Sequence, residues 1–120
     1  MPKIIEVHRF AIRLEDGTEI VLPRYDYIYD FSGNFAVMGK KNSEGFILEG
    51  AINEYGEEFI PIKYVKLSST LYKYKRIEKF IPEKDIVVVL DKNGYRAINL
   101  VNKEESFIWS KDEELPKDFS

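Results

Sequence analysis

The residues of this chain that could do chemistry are few and stand far apart. It has one histidine, His8, and no cysteine, so a transition-metal site and a thiolate nucleophile both lack the residues they need. A serine nucleophile is not supported either, because no Gly-x-Ser-x-Gly elbow is present. Asp26 and Asp30 flank a tyrosine strand in a spacing that matches no calcium loop. The sequence therefore predicts a structural or surface role for His8, with no cofactor, metal or catalytic activity.

A segment that could bind a partner lies at residues 71–79, where aromatic and cationic side chains alternate. Rings that stack on bases and cations that meet phosphates are typical of surfaces that bind single-stranded nucleic acid. An acidic protein or another anionic ligand would fit the same cations, and lysines also protect an edge strand from pairing with other chains. These alternatives stay open. The candidate binding residues of this segment are Tyr72, Lys73, Tyr74, Lys75, Arg76 and Lys79.

A second candidate surface is the period-two alternation of residues 25–31. On a strand, its aromatic side chains would share one face. Such a face can be a stacking platform or the anchor of a protein interface. It can equally be core packing in which the tyrosine hydroxyls remain half exposed. With both alternatives open, the remaining candidate binding residues are Tyr25, Tyr27 and Tyr29.

The elements that must position these residues are predicted to be strands, because β-branched and aromatic residues dominate the apolar set. Residues 4–14 are predicted as one strand, and a hairpin loop centred on Gly17 then sets Ile12 opposite Ile20. Residues 68–70 are predicted as a loop. Further strands are predicted over 35–38, 46–52, 59–67, 85–90 and the return of the last hairpin after Gly94.

Self-similarity organises the chain. GTEIVLPRYDYI begins at Gly17, GEEFIPIKYVKL begins at Gly56, and a third copy begins at Gly94 and fades. One such unit cannot bury its apolar face alone, so neighbouring units must pack together. The sequence therefore predicts an all-β fold of two to three tandem antiparallel β-hairpin repeats packed as one small domain. The predicted units are 12–50, 51–90 and 91–110, and in the tail 111–120 a short helical turn could begin after Ser110.

Residues 16–47 carry a recognisable unit, whose elements are Gly17, Ile20, Val21, Pro23, Arg24, Tyr25, Asp26, Phe31, Ser32, Ala36, Val37, Gly45, Phe46 and Ile47. This pattern resembles one unit of the WG-repeat (KWG-type) family of bacterial proteins. The Trp-Gly pair of that family is absent, since Ser43-Glu44 precedes Gly45, and the resemblance fades beyond residue 67. It implies tandem antiparallel hairpins and a binding or interaction role, and it implies no known chemistry.

Composition and charge limit the remaining possibilities. The chain has 120 residues and a net charge of −3, which suits one small domain. No apolar run is long enough to span a bilayer, and the first ten residues lack a signal-peptide core, so a cytoplasmic protein without membrane contact is expected. An acidic block able to meet a basic partner comprises Glu44, Glu49, Glu54, Glu57 and Glu58.

These features predict a non-catalytic module that binds a macromolecule. The leading hypothesis is a small protein–protein interaction, inhibitor or immunity-type protein that binds another protein. The alternative is a nucleic-acid or nucleotide-binding domain that uses residues 71–79. A homodimer through paired sheet edges is a further expectation, because a fading third unit leaves edges to cover.

Overall fold

The computed structural model describes residues 3–8, 11–21, 25–91 and 94–109. In chain order, the elements within these residues are β1 (Ile4–His8), β2 (Ala11–Leu14), β3 (Glu19–Val21), β4 (Tyr27–Ile28), β5 (Phe35–Lys41), β6 (Ile47–Asn53), β7 (Glu58–Tyr64), α1 (Leu67–Leu71), β8 (Arg76–Ile81), β9 (Ile86–Asp91), β10 (Gly94–Asn99) and β11 (Glu105–Trp109). They form sheet A (β1-β2-β3), sheet B (β4-β5-β6-β7) and sheet C (β11-β10-β9-β8), and all neighbours pair antiparallel. The predicted all-β fold of antiparallel hairpins is confirmed.

The predicted chain reversals are confirmed as well. Gly17 has a φ of 92° and Gly56 a φ of 83°, and each glycine N–H donates to the carbonyl oxygen three residues before it. Glycine adopts this left-handed conformation without a Cβ penalty, so the two copies of the repeat begin with the same turn. Gly94 is the first residue of β10, as the third copy predicts.

Sheet A corrects the prediction of a single strand over residues 4–14. β1 and β2 are separate strands that pair antiparallel. One strand of eleven residues would extend about 36 Å, close to the 40 Å of the molecule's longest axis, and would leave one of its ends off the core. Folding back brings Ile4 and Ile12 to the same apolar cluster. The predicted pairing of Ile12 with Ile20 is confirmed.

Sheet B is the middle layer, and both of its faces are buried. Residues 35–39 of β5 are all buried, and they alternate between two clusters. Phe35 and Val37 pack towards sheet C and α1, whereas Ala36 and Met38 pack towards sheet A. Because side chains alternate across a strand, sheets A and C must lie on opposite sides of sheet B.

Residues 68–70 form part of α1 and are not the loop that was predicted. Leu67 and Leu71 are one helical turn apart and both are buried, so a single turn of helix brings both leucines into the core. The hydroxyl groups of Ser69 and Thr70 donate to the carbonyl oxygen of Lys66, which satisfies them locally. In the part of the chain that the structure describes, no helix has the length and apolarity to cross a membrane.

Some predictions fall outside these observations. The C-terminal helical turn after Ser110 lies outside the described residues. The predicted unit boundaries at residues 50/51 and 90/91 fall within β6 and β9, so the sheets do not coincide with the predicted units, and that division stays a prediction. Sheet C also has a strand that the sequence did not predict, β11, which pairs with β10.

Candidate functional site

A row of cross-strand neighbours builds a cleft on sheet B. Tyr27 of β4 lies opposite Gly39 of β5, and Gly39 lies opposite Glu49 of β6. A Cβ atom at Gly39 would lie 2.0 Å from the Cζ atom of Tyr27. Because glycine has no side chain, the Tyr27 ring can cross β5, and its hydroxyl donates a hydrogen bond of 2.7 Å to Glu49 Oε2. Gly39 is therefore what allows the side chains of Tyr27 and Glu49 to meet.

Glu49 lies at the floor of this cleft and is 4% exposed, the one buried charged residue among those described. Besides the Tyr27 hydroxyl, it accepts the backbone N–H of Ser68 at 2.9 Å and the Ser68 hydroxyl at 3.0 Å. All three donors are neutral. These hydrogen bonds offset the cost of burying the carboxylate. Burial and then the hydrogen bond to Glu49 raise the pKa of Tyr27 well above its ordinary value, so Tyr27 remains a donor throughout the physiological range.

No lysine or arginine of the described segments forms an ion pair with Glu49. Lys103 is influenced by this carboxylate from a longer range: burial lowers the pKa of Lys103, and Glu49 opposes that shift. The ammonium of Lys103 donates instead to the carbonyl oxygen of Leu100 at 2.9 Å. Glu49 is thus a buried carboxyl group without a paired cation in the described structure.

The rim of the cleft is apolar and open to solvent. Tyr29, Phe46, Ile47 and Val65 are 46%, 62%, 51% and 54% exposed. Together with Lys66 they line a cleft of about 480 Å³, which is within the usual range for ligand pockets. The result is a carboxylate floor surrounded by exposed apolar walls.

Two reversals hold this rim in place. In the β5–β6 hairpin, the Asn42 side-chain oxygen accepts the backbone N–H groups of Glu44 and Phe46, which fixes the loop that carries Phe46. Before α1, Lys66 has a φ of 56°, a left-handed conformation that costs a non-glycine residue on the order of 1 kcal/mol. This bend leaves Val65 exposed and directs the next residue into the core.

A chain of aromatic rings connects the cleft to the core. The ring centroids of Tyr27 and Tyr29 are 5.4 Å apart, those of Tyr29 and Tyr72 are 5.9 Å apart, and those of Tyr72 and Phe35 are 5.3 Å apart. The Tyr72 hydroxyl accepts the Val37 N–H and donates to the carbonyl oxygen of residue 30, and burial raises the pKa of Tyr72 to about 12. Tyr72 therefore packs between Tyr29 at the rim and Phe35 in the core.

The tyrosines predicted to share one face are divided between two environments. β4 is only two residues long. The Asp26 carboxylate accepts the backbone N–H of Lys41 in β5, and the Asp30 carboxylate accepts the backbone N–H of Ile4 in β1. Tyr25 is buried with the core residues of sheet A, and its hydroxyl donates to a backbone carbonyl oxygen of β2. Tyr27 and Tyr29 lie together at the cleft. The prediction that Tyr25, Tyr27 and Tyr29 share one face is thus wrong.

The basic segment 71–79 is not one continuous strand either, since a turn after α1 precedes β8, which begins at Arg76. Tyr74 is buried and Tyr72 packs against the same core cluster, so their rings do not form the exposed stacking face that a strand would give. Lys73 and Lys75 are exposed in the turn. Lys79 lies in β8, which is an edge strand of sheet C.

Carboxylates within the molecule neutralise two cations of this segment. Lys73 Nζ lies 2.6 Å from Glu105 Oε1, and Arg76 Nε lies 2.6 Å from Glu78 Oε1. Glu105 also accepts hydrogen bonds from the Tyr74 hydroxyl and, at 3.0 Å, from Arg96. Lys73 and Tyr74 therefore belong to one network around Glu105. Tyr72 instead contacts Tyr29 at the cleft.

Sequence reasoning missed most of the cleft. The sequence places Glu49 in an acidic block able to meet a basic partner, and the structure shows that Glu49 itself is buried. Its signal was present, because Glu49 is the one charged residue within the apolar run 46–52, and a charge in such a run is either exposed on one face or buried with partners. The exposure of Phe46 and Val65 has no signal in the sequence, because it depends on how α1 meets sheet B.

No group of three or more His, Cys, Asp or Glu side chains in the described ranges is arranged to hold a metal ion. No curated protein and no solved structure matches the chain significantly. One family model, the WG containing repeat, matches residues 15–42. That segment runs from the Gly17 turn through β5 and contributes Tyr27 and Gly39 to the cleft. Over residues 15–42 the chain is therefore similar to a WG containing repeat, as the pattern of residues 16–47 predicts.

Proposed function

We propose that this chain is a non-catalytic repeat module that binds another protein at the cleft around Glu49. The observation that carries the proposal is the apolar rim. Eight large apolar side chains are exposed in the described residues, and four of them, Tyr29, Phe46, Ile47 and Val65, line this one cleft. Exposed apolar residues are ordinary when scattered, but a cluster that includes aromatic side chains is typical of an interface.

Acidic side chains at the cleft and elsewhere on sheet B suit a basic partner. Glu49 lines the cleft and Glu44 is exposed in the hairpin that carries Phe46, while Glu54, Glu57 and Glu58 are exposed beyond the opposite end of β6. Complementary charges increase the rate of encounter and suppress wrong partners. A specific version of the proposal is a small inhibitor or immunity-type protein that blocks a toxin or nuclease with a basic surface. We expect this encounter in the cytoplasm.

The nucleic-acid alternative receives less support from the geometry. It requires exposed rings at Tyr72 and Tyr74 and free cations nearby, whereas Tyr74 is buried and Lys73 is paired with Glu105. We expect no retention of a single-stranded oligonucleotide by the purified chain at low salt. Retention that weakens steeply with salt would support the alternative, since the slope follows the number of phosphates contacted. The edge position of β8 gives Lys79 the simpler role of an edge guard.

Site-specific crosslinking tests the proposed surface. A photoreactive phenylalanine analogue replaces Phe46 in the full chain within cells that produce it naturally. The matched control carries the analogue at Tyr55, an aromatic residue that is 77% exposed in the next hairpin. We expect one discrete adduct from position 46 and none from position 55, and we expect Tyr29→Ser and Val65→Ser to remove it.

The protein in that adduct can then be purified and titrated by calorimetry. Phe46→Ala should weaken binding by about ten-fold or more, as truncation of an interface anchor does, whereas Tyr55→Ala should change it by less than about two-fold. Equal adducts from both positions, or none from position 46, would contradict the proposal. An adduct with twice the mass of the chain would instead identify a homodimer.

A further inference from the structure

Three tyrosine–carboxylate hydrogen bonds recur among the residues that the structure describes, and they join Tyr27 to Glu49, Tyr64 to Asp85 and Tyr74 to Glu105. A cation completes the second of them. Lys63 Nζ lies 3.1 Å from Asp85 Oδ1 and 5.2 Å from the centroid of the Tyr64 ring. One lysine thus meets both the carboxylate and the face of the tyrosine, which combines an ion pair with a cation–π contact.

The third group is completed in the same way, by two cations. Lys73 Nζ pairs with Glu105 and lies 5.1 Å from the centroid of the Tyr74 ring. The Arg96 guanidinium donates to the other oxygen of Glu105 and lies 5.8 Å from the same ring. In both completed groups, therefore, a cation lies on the tyrosine ring and against the carboxylate.

The Tyr27–Glu49 group has the same two members, but no described cation completes it. Its carboxylate is also the most buried: Glu49 is 4% exposed, whereas the side chains of Asp85 and Glu105 are 32% and 30% exposed. A cation has the most to gain where water is excluded, because the interaction strengthens as the local dielectric falls. The cleft opens onto this group, so the position that a cation would occupy is reached from solvent.

We infer that the cleft accepts a lysine or arginine side chain of the partner protein. The charged end meets Glu49 and the rings of Tyr27 and Tyr29, and the aliphatic stem packs against Phe46 and its neighbours on the rim. This inference rests on the proposed function and deepens it, since it names the group that the partner presents. Lys66, which lines the same cleft, and Lys103, which interacts electrostatically with Glu49, are competing charges.

Small molecules that carry a lysine or arginine side chain test this inference, with the full chain as the receptor. The probes are N-acetyl-lysine methylamide and N-acetyl-arginine methylamide, and the matched control is N-acetyl-norleucine methylamide, which has a similar stem without the charge. Binding is followed by amide chemical shifts of Ser68, which donates to Glu49, and of Gly45 and Phe46. We expect saturable shifts with a Kd of about 1–10 mM for the cations, and binding of norleucine at least five-fold weaker.

Variants connect the binding to its residues. Glu49→Gln keeps the shape and an acceptor for the Ser68 N–H and should abolish the preference for lysine over norleucine. Because Glu49→Gln changes a buried group, Phe46→Ala provides a second test at an exposed position and should weaken both probes. Lys66→Met removes one competing charge and should tighten lysine binding about two- to three-fold.

Three outcomes would overturn the inference: norleucine binding as well as lysine, an unchanged preference in folded Glu49→Gln, or shifts confined to the Lys73–Glu105 network. An absence of shifts with every probe would overturn it too. The proposed function fails separately, when the adduct from position 46 does not depend on Tyr29 or Val65. Failure of the probes with an intact, rim-dependent adduct therefore refutes only the cationic ligand.

Discussion

Among the carboxylates that accept a hydrogen bond from a tyrosine, Glu105 and Glu49 have opposite surroundings. Glu105 lies near the surface and is neutralised by Lys73 and Arg96. Glu49 is buried and is held by neutral donors from Tyr27 and Ser68. The first site is surrounded by its own partners, whereas the second opens into a cleft with an exposed apolar rim.

This difference distinguishes a carboxylate that is paired within the molecule, Glu105, from one that could still bind a cationic ligand, Glu49. A carboxylate paired with its own cations has little attraction left for a ligand, so the Glu105 network stabilises the contact between the turn after α1 and sheet C. A buried carboxylate with neutral donors has no cation of its own in a place where water is scarce. We therefore propose the cleft as the binding site, and binding by residues 71–79 stays an untested prediction.

The largest effect on stability is expected at Glu49. Glu49→Ala leaves the Tyr27 hydroxyl and the Ser68 N–H without their acceptor, so the free energy of unfolding should fall by about 2–4 kcal/mol. Glu49→Gln retains an acceptor and should cost about 1 kcal/mol. Urea unfolding followed by tyrosine fluorescence measures both. A loss below about 0.5 kcal/mol in the alanine variant would show that the hydrogen bonds to the Glu49 carboxylate contribute little to stability.

A smaller effect is expected at the Glu105 network. The side chains of Lys73 and Glu105 are 56% and 30% exposed, so water and salt screen their attraction. A double-mutant cycle with Lys73→Met and Glu105→Gln should give a coupling energy below about 1 kcal/mol. A coupling energy that exceeds the loss in Glu49→Ala would reverse the comparison between the two regions.

The pH dependence of stability should come from the ion-paired carboxylates. The hydrogen bonds from Lys73 and Tyr74 hold the pKa of Glu105 below its ordinary value of 4.5, and those from Tyr64 and Lys63 hold the pKa of Asp85 below 3.8. A depressed folded-state pKa contributes stability that is present at neutral pH and is lost as the pH falls through that pKa.

The melting temperature should therefore be nearly constant from pH 7 to pH 5 and fall below about pH 4.5, where the unfolded carboxylates begin to take up protons. Thermal unfolding of Glu105→Gln and Asp85→Asn should show a shallower fall than the natural chain. If the double variant loses as much stability in acid as the natural chain does, these two pairs are not the source of the dependence.

Patterns in the sequence predicted the local structure well where the backbone itself decides it. Gly17 and Gly56 require a positive φ, and strand alternation sets Ile12 opposite Ile20. What escaped prediction depends on long-range packing. The fold-back of residues 4–14 and the turn of helix at 67–71 exist because they bring side chains such as Leu67 and Leu71 to a core made by distant strands.

The same limit applies to the site. Tyr27 and Tyr29 were named from the sequence, but Tyr25 packs with the core of sheet A whereas Tyr27 and Tyr29 line the cleft. Alternation within a segment cannot reveal which distant strands its side chains will meet. Glu49 stands out in its apolar run, but its burial depends on neighbours across the sheet such as Gly39, which the local sequence does not reveal.

Hydrogen exchange of the complex with the crosslinked partner tests the central claim most directly, because it compares the two regions in one sample. The account predicts that amides of residues 42–49 and 65–70, around the cleft, exchange at least about ten-fold more slowly in the complex. Amides of residues 73–79 should change little. Protection confined to 73–79, with the cleft unchanged, would contradict the account and restore the basic segment as the binding site.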